Sequence, residues 1–178
     1  KLHQVCCGFM VSDAGETTYL ENVKMKELFN IIDELDGKVI IWANYLNSIT
    51  KIIDDLKAKF GDESTVAVYG AVKVEDRKEG VRRFEKDPQC RFFVGNPTTG
   101  GYGLNLTKAN TVIYFSNSYD LEVRQQSEDR AHRIGQENKV TYIDILARGT
   151  IDEFILKALN KKLKISAQTL GEEVLEYL

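Results

Sequence analysis

The chain has 178 residues, 43% of them hydrophobic and 29% charged, and a domain of that size buries about two thirds of the surface that its unfolded chain exposes. Its 24 basic and 27 acidic residues give a formal net charge of −3, which excludes a uniformly basic coat for nucleic acid and leaves room for a local basic groove. Three cysteines without a CxxC pair and two histidines argue against a disulfide scaffold and a zinc site, and no apolar run approaches the roughly 18–20 residues of a membrane span.

The first segment of the chain, Lys1–Glu21, shows no clear hydrophobic periodicity. Its middle is the polar stretch "SDAGETT" (Ser12–Thr18), which is typical of a turn. We interpret residues 1–21 as a connecting arm and residues 22–178 as the globular domain.

Five short runs predict buried strands. They are rich in valine, isoleucine and aromatic residues, and they are mostly continuous rather than alternating, which is typical of parallel strands covered on both faces. The runs are Lys38–Asn44, Ser64–Gly70, Arg91–Pro97, Thr111–Asn117 and Lys139–Ala147.

Apolar residues at helical spacing lie between most of these strands. They predict helices over Met25–Leu35, over Leu46–Phe60 with Gly61 ending it, and over Val74–Phe84. The stretch Gly149–Ile165 predicts a long amphipathic helix, which Thr150 and Glu153 open as a capping box. Strands that alternate with helices predict an α/β fold: a three-layer, open parallel sheet with helices on both faces.

The stretch "RQQSEDRAHRIGQ" (Arg124–Gln136) carries a patterned set of polar residues. Gln126, Arg130 and Arg133 stand at i, i+4 and i+7, which predicts one stripe of a helix. Gly135 is expected to end that helix.

An apolar stripe of Val123, Ala131 and Ile134 lies about 80–100° from the polar one. It places Arg130 at the margin of the buried face, where a guanidinium group could neutralise a phosphate. The alternative is a salt-bridged helix, with Asp129 and Arg133 paired at i, i+4.

A glycine-rich stretch, "GGYGLNLTKA" (Gly100–Ala109), follows the third predicted strand. Three glycines in four positions permit the close backbone approach that a phosphate or a sugar–phosphate chain requires. A flexible turn is the alternative. The stretch is not a Walker A loop, because GxxxxGK[ST] occurs nowhere in the chain.

Several residues follow the carboxyl ends of the predicted strands, where open parallel sheets place their sites. They include Asn44, Gly70, Asn96–Gly103 and Ser116–Asp120. Tyr119 could stack on a base or a sugar, although an exposed loop tyrosine is ordinary.

The order of these motifs resembles the C-terminal RecA-like lobe of Swi/Snf-type ATPases in helicase superfamily two. The quoted pieces are "KVIIWAN", "VYGAVKVEDRKEGVRRF", "FFVGNPTTGGYGLNLTKANTVIYFSNSYD" and "QSEDRAHRIGQ", and the resemblance runs from about Val5 to Leu163. The arm at residues 1–21 would then come from an upstream lobe. The chain departs from the family at Tyr119–Leu121, where tryptophan, asparagine and proline are frequent, and at "NPTT" before the glycines.

The resemblance implies three groups of site residues. Arg130 and Arg133 would contact the γ-phosphate of ATP held by the other lobe. The further nucleotide-binding positions would be Gln126, Gly103 and Asn105. Contacts to the DNA backbone would be made by Asn44, Gly70, Arg77, Thr99, Gly100, Gly101 and Tyr119, although composition alone makes Arg77 a solvated helix residue.

The implied function is that of an ATP-driven translocase on double-stranded DNA. ATP and Mg²⁺ would be held mainly by the N-terminal RecA-like lobe of the same parent chain, and no metal site is expected here. We expect this monomeric chain alone to bind ATP weakly and to hydrolyse it negligibly. The expected location is cytoplasmic, or the nucleoid or nucleus for a parent that acts on chromosomal DNA.

Two other functions fit the same pattern. The chain could be a non-catalytic RecA-like module that binds nucleic acid or protein, but such a module would not need Gln126, Arg130 and Arg133, which are all present. It could also be a small-molecule α/β enzyme with the glycine-rich loop as its active site, which would require a nucleophile or an acid–base pair that the sequence does not place there.

Overall fold

The computed structural model of the protein describes residues 1–99 and 104–170. The α-helices in these ranges are α1 (Leu2–Cys6), α2 (Val23–Glu34), α3 (Leu46–Phe60), α4 (Val74–Lys86), α5 (Leu121–Glu128) and α6 (Ile151–Leu170), and a short 3-10 helix spans Asp62–Ser64. The strands are β1 (Phe9–Val11), β2 (Thr17–Tyr19), β3 (Lys38–Trp42), β4 (Thr65–Val68), β5 (Phe92–Gly95), β6 (Ala109–Tyr114) and β7 (Thr141–Asp144).

Five of the strands form one parallel sheet in the order β4-β5-β3-β6-β7. Each of them lies inside one of the five runs that the sequence predicts, except that β6 begins two residues earlier. The central strand β3 is paired on both sides: Ile41 lies opposite Val94 of β5 and Ile113 of β6. The α/β fold with a RecA-like open parallel sheet is therefore confirmed.

The sheet separates two hydrophobic cores. Val39 and Ile41 point to the core beneath α2 and α3, whereas Ile40 and Trp42 point to the core that contains Phe84 of α4. Both faces are covered because successive side chains of a strand alternate between the two faces. This double burial explains why β3 reads as a continuous apolar run rather than an alternating one.

Helix boundaries follow local signals. α3 has the predicted bounds, and Gly61 ends it with a φ of +93°, which favours glycine. α2 begins two residues earlier than predicted, because the Asn22 side chain accepts a hydrogen bond from the Met25 amide at 3.1 Å and caps it.

The start of α6 differs in detail from the predicted capping box. Thr150 Oγ1 accepts from the Asp152 amide at 3.3 Å, but the Glu153 carboxylate accepts from the amide of Gly149, not from that of Thr150. The reciprocal pair is thus shifted by one residue. α6 packs against α1 and α5, and no helix in the described ranges is long and apolar enough to cross a membrane.

The first 21 residues have structure of their own. They form α1 and the antiparallel hairpin of β1 and β2, which turns at Ser12–Glu16. Cys7 and Phe9 are buried in the core beneath α2 and α3, and Asn22 Nδ2 donates to the Cys7 carbonyl at 2.8 Å. This segment is part of the packed domain, and its connection to another lobe stays a prediction.

Candidate functional site

The helix that carries the patterned arginines is shorter than predicted. α5 begins at the cap Asp120, whose carboxylate accepts from the Val123 amide, and it ends at Glu128. Gln126 therefore lies on the helix, while Arg130 and Arg133 lie in the turns that follow it. The predicted helical stripe and the helix end at Gly135 are both wrong.

Tertiary hydrogen bonds explain the early helix end. The carbonyl of Arg130 accepts from the Leu106 amide at 3.0 Å, and the carbonyl of Ala131 accepts from Gln136 Nε2 at 3.2 Å. A continuing helix would need those same carbonyls for the amides four residues later. Residues from outside the helix occupy the acceptors instead.

The predicted apolar stripe is only partly buried. Ala131 is completely buried and packs into the core beside Trp42, and Val123 is half-buried. Ile134 is 99% exposed, so its placement on a buried face is wrong. A turn, unlike a helix, does not keep residues 131 and 134 on one side.

Arg130 is buried beneath the sheet edge. Its side chain is near Trp42, with the guanidinium carbon 5.1 Å from the centre of the ring, and Nη2 donates to the Pro97 carbonyl at 2.9 Å. Only 8% of the residue is exposed. Burial lowers the pKa of its guanidinium group from the usual value. Nη1 is buried and has no hydrogen-bond partner among the described residues.

Arg133 and Gln126 have a different environment. Both are exposed, and Gln126 Nε2 donates to a carboxylate oxygen of Glu122 one turn earlier on α5, at 2.9 Å. The Arg133 carbonyl accepts from the Gln136 amide at 2.9 Å, which closes the turn that carries it. The three residues of the predicted stripe therefore divide into one buried and two exposed side chains.

The carboxyl ends of the central strands are joined by hydrogen bonds. Asn44, after β3, donates its amide to Ser116 Oγ at 3.0 Å, and its carbonyl accepts from Asn96 Nδ2, after β5, at 2.9 Å. Asn96 Oδ1 accepts in turn from the Thr98 amide. The Asn44 side-chain amide is buried without a partner among the described residues, so this edge retains an unmatched donor.

Gly70 and Arg77 lie together. The Arg77 guanidinium reaches back from α4 to the loop after β4, where Nη2 donates to the Gly70 carbonyl at 2.9 Å and Nε donates to the Val72 carbonyl at 2.6 Å. Arg77 is half-buried. Its side chain therefore orders the loop, and it is not the freely solvated helix residue that composition suggests.

The remaining predicted positions are spread along the same edge. Tyr119 is 46% exposed and its carbonyl accepts from Lys162 Nζ of α6, Asn105 is exposed, and Thr99 is half-buried. The three predicted glycines Gly100, Gly101 and Gly103 lie outside the described residues.

Arg124 is a residue of this region that the sequence reasoning missed. Its side chain is 2% exposed and makes two hydrogen bonds to the Asp144 carboxylate, at 2.6 and 3.1 Å, and one to Glu128. The guanidinium also lies 3.4 Å from the centre of the Tyr114 ring. Although burial opposes the charge, the hydrogen bonds to Asp144 and Glu128 raise the pKa of Arg124 overall.

The sequence offers little signal for this anchor. Arg124 opens the quoted arginine stretch and Asp144 ends β7, but nothing local pairs two residues that are 20 positions apart. The pair holds α5 to the edge strand and so places the turn of Arg130 and Arg133. Among residues 1–99 and 104–170, no group of three or more His, Cys, Asp or Glu side chains could hold a metal ion.

Known sequence families and structures resemble this chain. The conserved pattern of the helicase conserved C-terminal domain matches residues 23–135. A solved structure, the C-terminal part of the Fun30 ATPase domain, superposes with a TM-score of 0.71 at 26% identity and covers 78% of this chain and 46% of that one.

Three curated relatives illustrate the range. The ATP-dependent helicase fft2 of Schizosaccharomyces pombe is 30% identical over 93% of this chain. The chromatin-remodeling ATPase INO80 of Aspergillus oryzae is 42% identical over 85% of it. The uncharacterized ATP-dependent helicase MG018 of Mycoplasma genitalium is 31% identical over 98% of it. The matched part spans 13%, 10% and 17% of those three proteins, respectively.

Proposed function

Because the chain belongs to the helicase conserved C-terminal domain family, as the C-terminal RecA-like lobe of a Swi/Snf-type ATPase, we propose that it is the second motor lobe of a DNA-dependent ATPase. In this proposal it acts with an N-terminal RecA-like lobe of the same parent chain. That lobe holds ATP and its Mg²⁺. The two lobes move duplex DNA by closing and reopening.

The observation that carries the proposal is the exposed Arg133 on a turn of fixed shape. A guanidinium group is always charged and forks two donors toward phosphate oxygens. The chain has no GxxxxGK[ST] loop of its own, so a phosphate that Arg133 meets would be bound elsewhere. An arginine supplied in this way stabilises the charge that spreads over the transferring phosphoryl group.

The shape of the turn supports this role. The Arg133 carbonyl is bonded to the Gln136 amide, and Gln136 Nε2 is bonded to the carbonyls of Ala109 and Ala131. The side chain therefore projects from a backbone that is tied to the start of β6. Preorganisation of this kind means that little reorganisation is needed when the lobes close. Gln126, Asn105 and Gly103 are the further proposed nucleotide positions.

The proposed DNA path runs along the carboxyl edge of the sheet. Asn44 and Thr99 lie on neighbouring loops there, and Asn96 joins them: its side chain donates to the Asn44 carbonyl and its carbonyl accepts from the Thr99 amide. Gly70, Gly100, Gly101 and Tyr119 complete the proposed backbone contacts, and Arg77 shapes the loop that carries Gly70. The relatives named as chromatin-remodeling ATPases make chromosomal DNA, in a nucleus or a nucleoid, the proposed site of action.

The test is ATP turnover by the full-length protein with and without duplex DNA. Arg133→Ala should lower the DNA-stimulated rate by about 10³-fold, the lower range for the loss of an arginine finger. Arg82→Ala is the matched control, because Arg82 is an exposed arginine of α4 that pairs with Glu79. It should retain the rate of the unmodified protein.

Two results would count against the proposal. Turnover that Arg133→Ala changes only a few-fold would mean that this arginine does not meet the phosphate. Turnover by the unmodified protein that does not respond to DNA would favour a RecA-like binding module without a motor.

A further inference from the structure

Arg130 is bonded to both sides of the glycine-rich segment. Its side chain holds the Pro97 carbonyl, before that segment, through Nη2 at 2.9 Å. Its backbone carbonyl accepts from the Leu106 amide, after that segment, at 3.0 Å. One residue in the turn after α5 thus sets the separation of the two ends of the stretch from Pro97 to Leu106.

The side-chain contact is held firmly. The guanidinium lies between the Pro97 carbonyl and the ring of Trp42, which is fully buried at the end of β3. A hydrogen bond from a charged donor is stronger than one between neutral groups, and burial strengthens it further. Loss of the donor would leave a buried carbonyl without its partner, which is costlier than losing a solvated contact.

The two arginines of the turn are therefore not equivalent. Arg133 is exposed and can meet a phosphate held by another lobe without giving up a contact to Pro97 or Trp42. Arg130 is 8% exposed, and its guanidinium would have to leave the Pro97 carbonyl to do the same. Sequence spacing alone gives the two residues the same role.

We propose that Arg130 is a positioning residue that couples the segment from Pro97 to Leu106 to the turn carrying Arg133. This inference rests on the proposed function, in which that segment contacts the DNA backbone and Arg133 contacts the ATP phosphates. A shift of Pro97 or Leu106 on DNA moves Arg130 and, three residues later, the arginine that acts on the nucleotide. The same bonds transmit a change at the nucleotide back to the DNA contact.

The experiment compares two methionine variants of the full-length protein, in which ATP turnover is followed as duplex DNA is titrated. Arg130→Met keeps an apolar stem against Trp42 and removes the donors. It should raise the DNA concentration for half-maximal stimulation about tenfold, the size expected for one buried charge-assisted hydrogen bond. Arg133→Met should instead lower the rate at saturating DNA by at least about a hundredfold.

A lysine variant supplies the rescue. Arg130→Lys is long enough to donate one hydrogen bond to the Pro97 carbonyl, so it should return the half-maximal DNA concentration to within about threefold of the unmodified protein. Should Arg130→Met not fold, Arg130→Lys shows the same shift of DNA half-saturation at a smaller size.

Hydrogen exchange gives a readout that does not depend on turnover. In Arg130→Met the Leu106 amide should exchange about tenfold faster, while the Phe115 amide, bonded to Trp42 in the sheet, keeps its rate.

The outcomes separate the inference from the proposed function. If Arg130→Met matches Arg133→Met, with a collapsed rate at saturating DNA and an unmoved half-maximal concentration, Arg130 contacts the phosphate and the coupling role is overturned. If the unmodified protein shows no DNA-stimulated turnover, the proposed function itself has failed. An unchanged Leu106 exchange rate would overturn the coupling role whatever the turnover results.

Discussion

The guanidinium of Arg77 and the carbonyl oxygen of Gly70 are joined by a hydrogen bond of 2.9 Å. The second bond of Arg77, to Val72, fixes the other side of the same loop. Two residues that the sequence marked separately, one on a helix and one after a strand, thus form a single unit at the carboxyl edge of the sheet. The arginine acts on the loop backbone in this arrangement.

Removing the Arg77 donors should loosen that loop. In Arg77→Met we expect the Val72 amide, which is bonded to the Tyr69 carbonyl, to exchange about tenfold faster with solvent, since local opening loses about one hydrogen bond of support. Lys78→Met, an exposed change on the same helix, is the control and should leave that rate as it is. Hydrogen exchange with mass spectrometry or NMR measures both, and an unchanged rate in Arg77→Met would show that the contact is not made in solution.

The buried ion pair of Lys24 and Asp152 joins α2 to α6. Nζ and Oδ2 are 2.8 Å apart, and the two side chains are 4% and 3% exposed. Lys24→Met should lower the free energy of unfolding by about 3–5 kcal/mol, because it leaves a buried carboxylate without its partner. Urea denaturation measures the loss.

A double-mutant cycle checks that the loss belongs to the pair. Adding Asp152→Asn to Lys24→Met should cost at least about 1 kcal/mol less than the sum of the single changes. The exposed pair of Lys59 and Asp33 is the comparison, and Lys59→Met should cost at most about 1 kcal/mol. Additive losses at Lys24 and Asp152 would contradict the buried pair.

Arg124 should not tolerate a change to lysine. Lysine keeps the charge but cannot make the forked contact to both oxygens of Asp144 together with the contact to Glu128. We expect Arg124→Lys to lower the free energy of unfolding by about 1–3 kcal/mol. Arg82→Lys, in an exposed pair with Glu79, should cost less than about 0.5 kcal/mol in the same urea titration. Equal costs would mean that the fork of Arg124 is not formed.

His3 should make stability depend on pH in the mildly acidic range. Burial, with Lys24 behind it, lowers the pKa of His3 from its ordinary 6.5 and outweighs the attraction of Asp152. The unfolded chain therefore binds the proton more readily, so the contribution is complete above pH 6.5 and is lost as the pH falls toward the lower folded pKa. The slope from this one group is at most about 1.4 kcal/mol per pH unit.

The measurement is the free energy of unfolding at pH 7.5 and pH 5.5. The drop between them should be smaller in His3→Gln than in the unmodified protein, whereas His132→Gln, which removes an exposed histidine, should retain the full drop. A drop of the same size in His3→Gln would show that burial of this ring does not govern the dependence.

Local pattern was enough for the sheet and most helices. β3 and β5 are continuous apolar runs because both faces of the sheet are buried, and α3 has the predicted bounds because its apolar spacing and Gly61 act within a few residues. Such signals need no knowledge of distant contacts. The collection of Asn44 and Asn96 at one edge also followed, since the carboxyl ends of parallel strands meet there.

The short end of α5 and the unequal arginines were decided by tertiary structure alone. From Arg124 to Gln136 the spacing favours a helix, but Leu106 and Gln136 take the carbonyls of Arg130 and Ala131 that a helix would need. The partners Pro97 and Trp42, which bury Arg130, are more than 30 residues away in the chain. Periodicity reports which residues share a face of a regular element. It cannot report which distant backbone group will compete for an acceptor, because that competition exists only once the chain has folded.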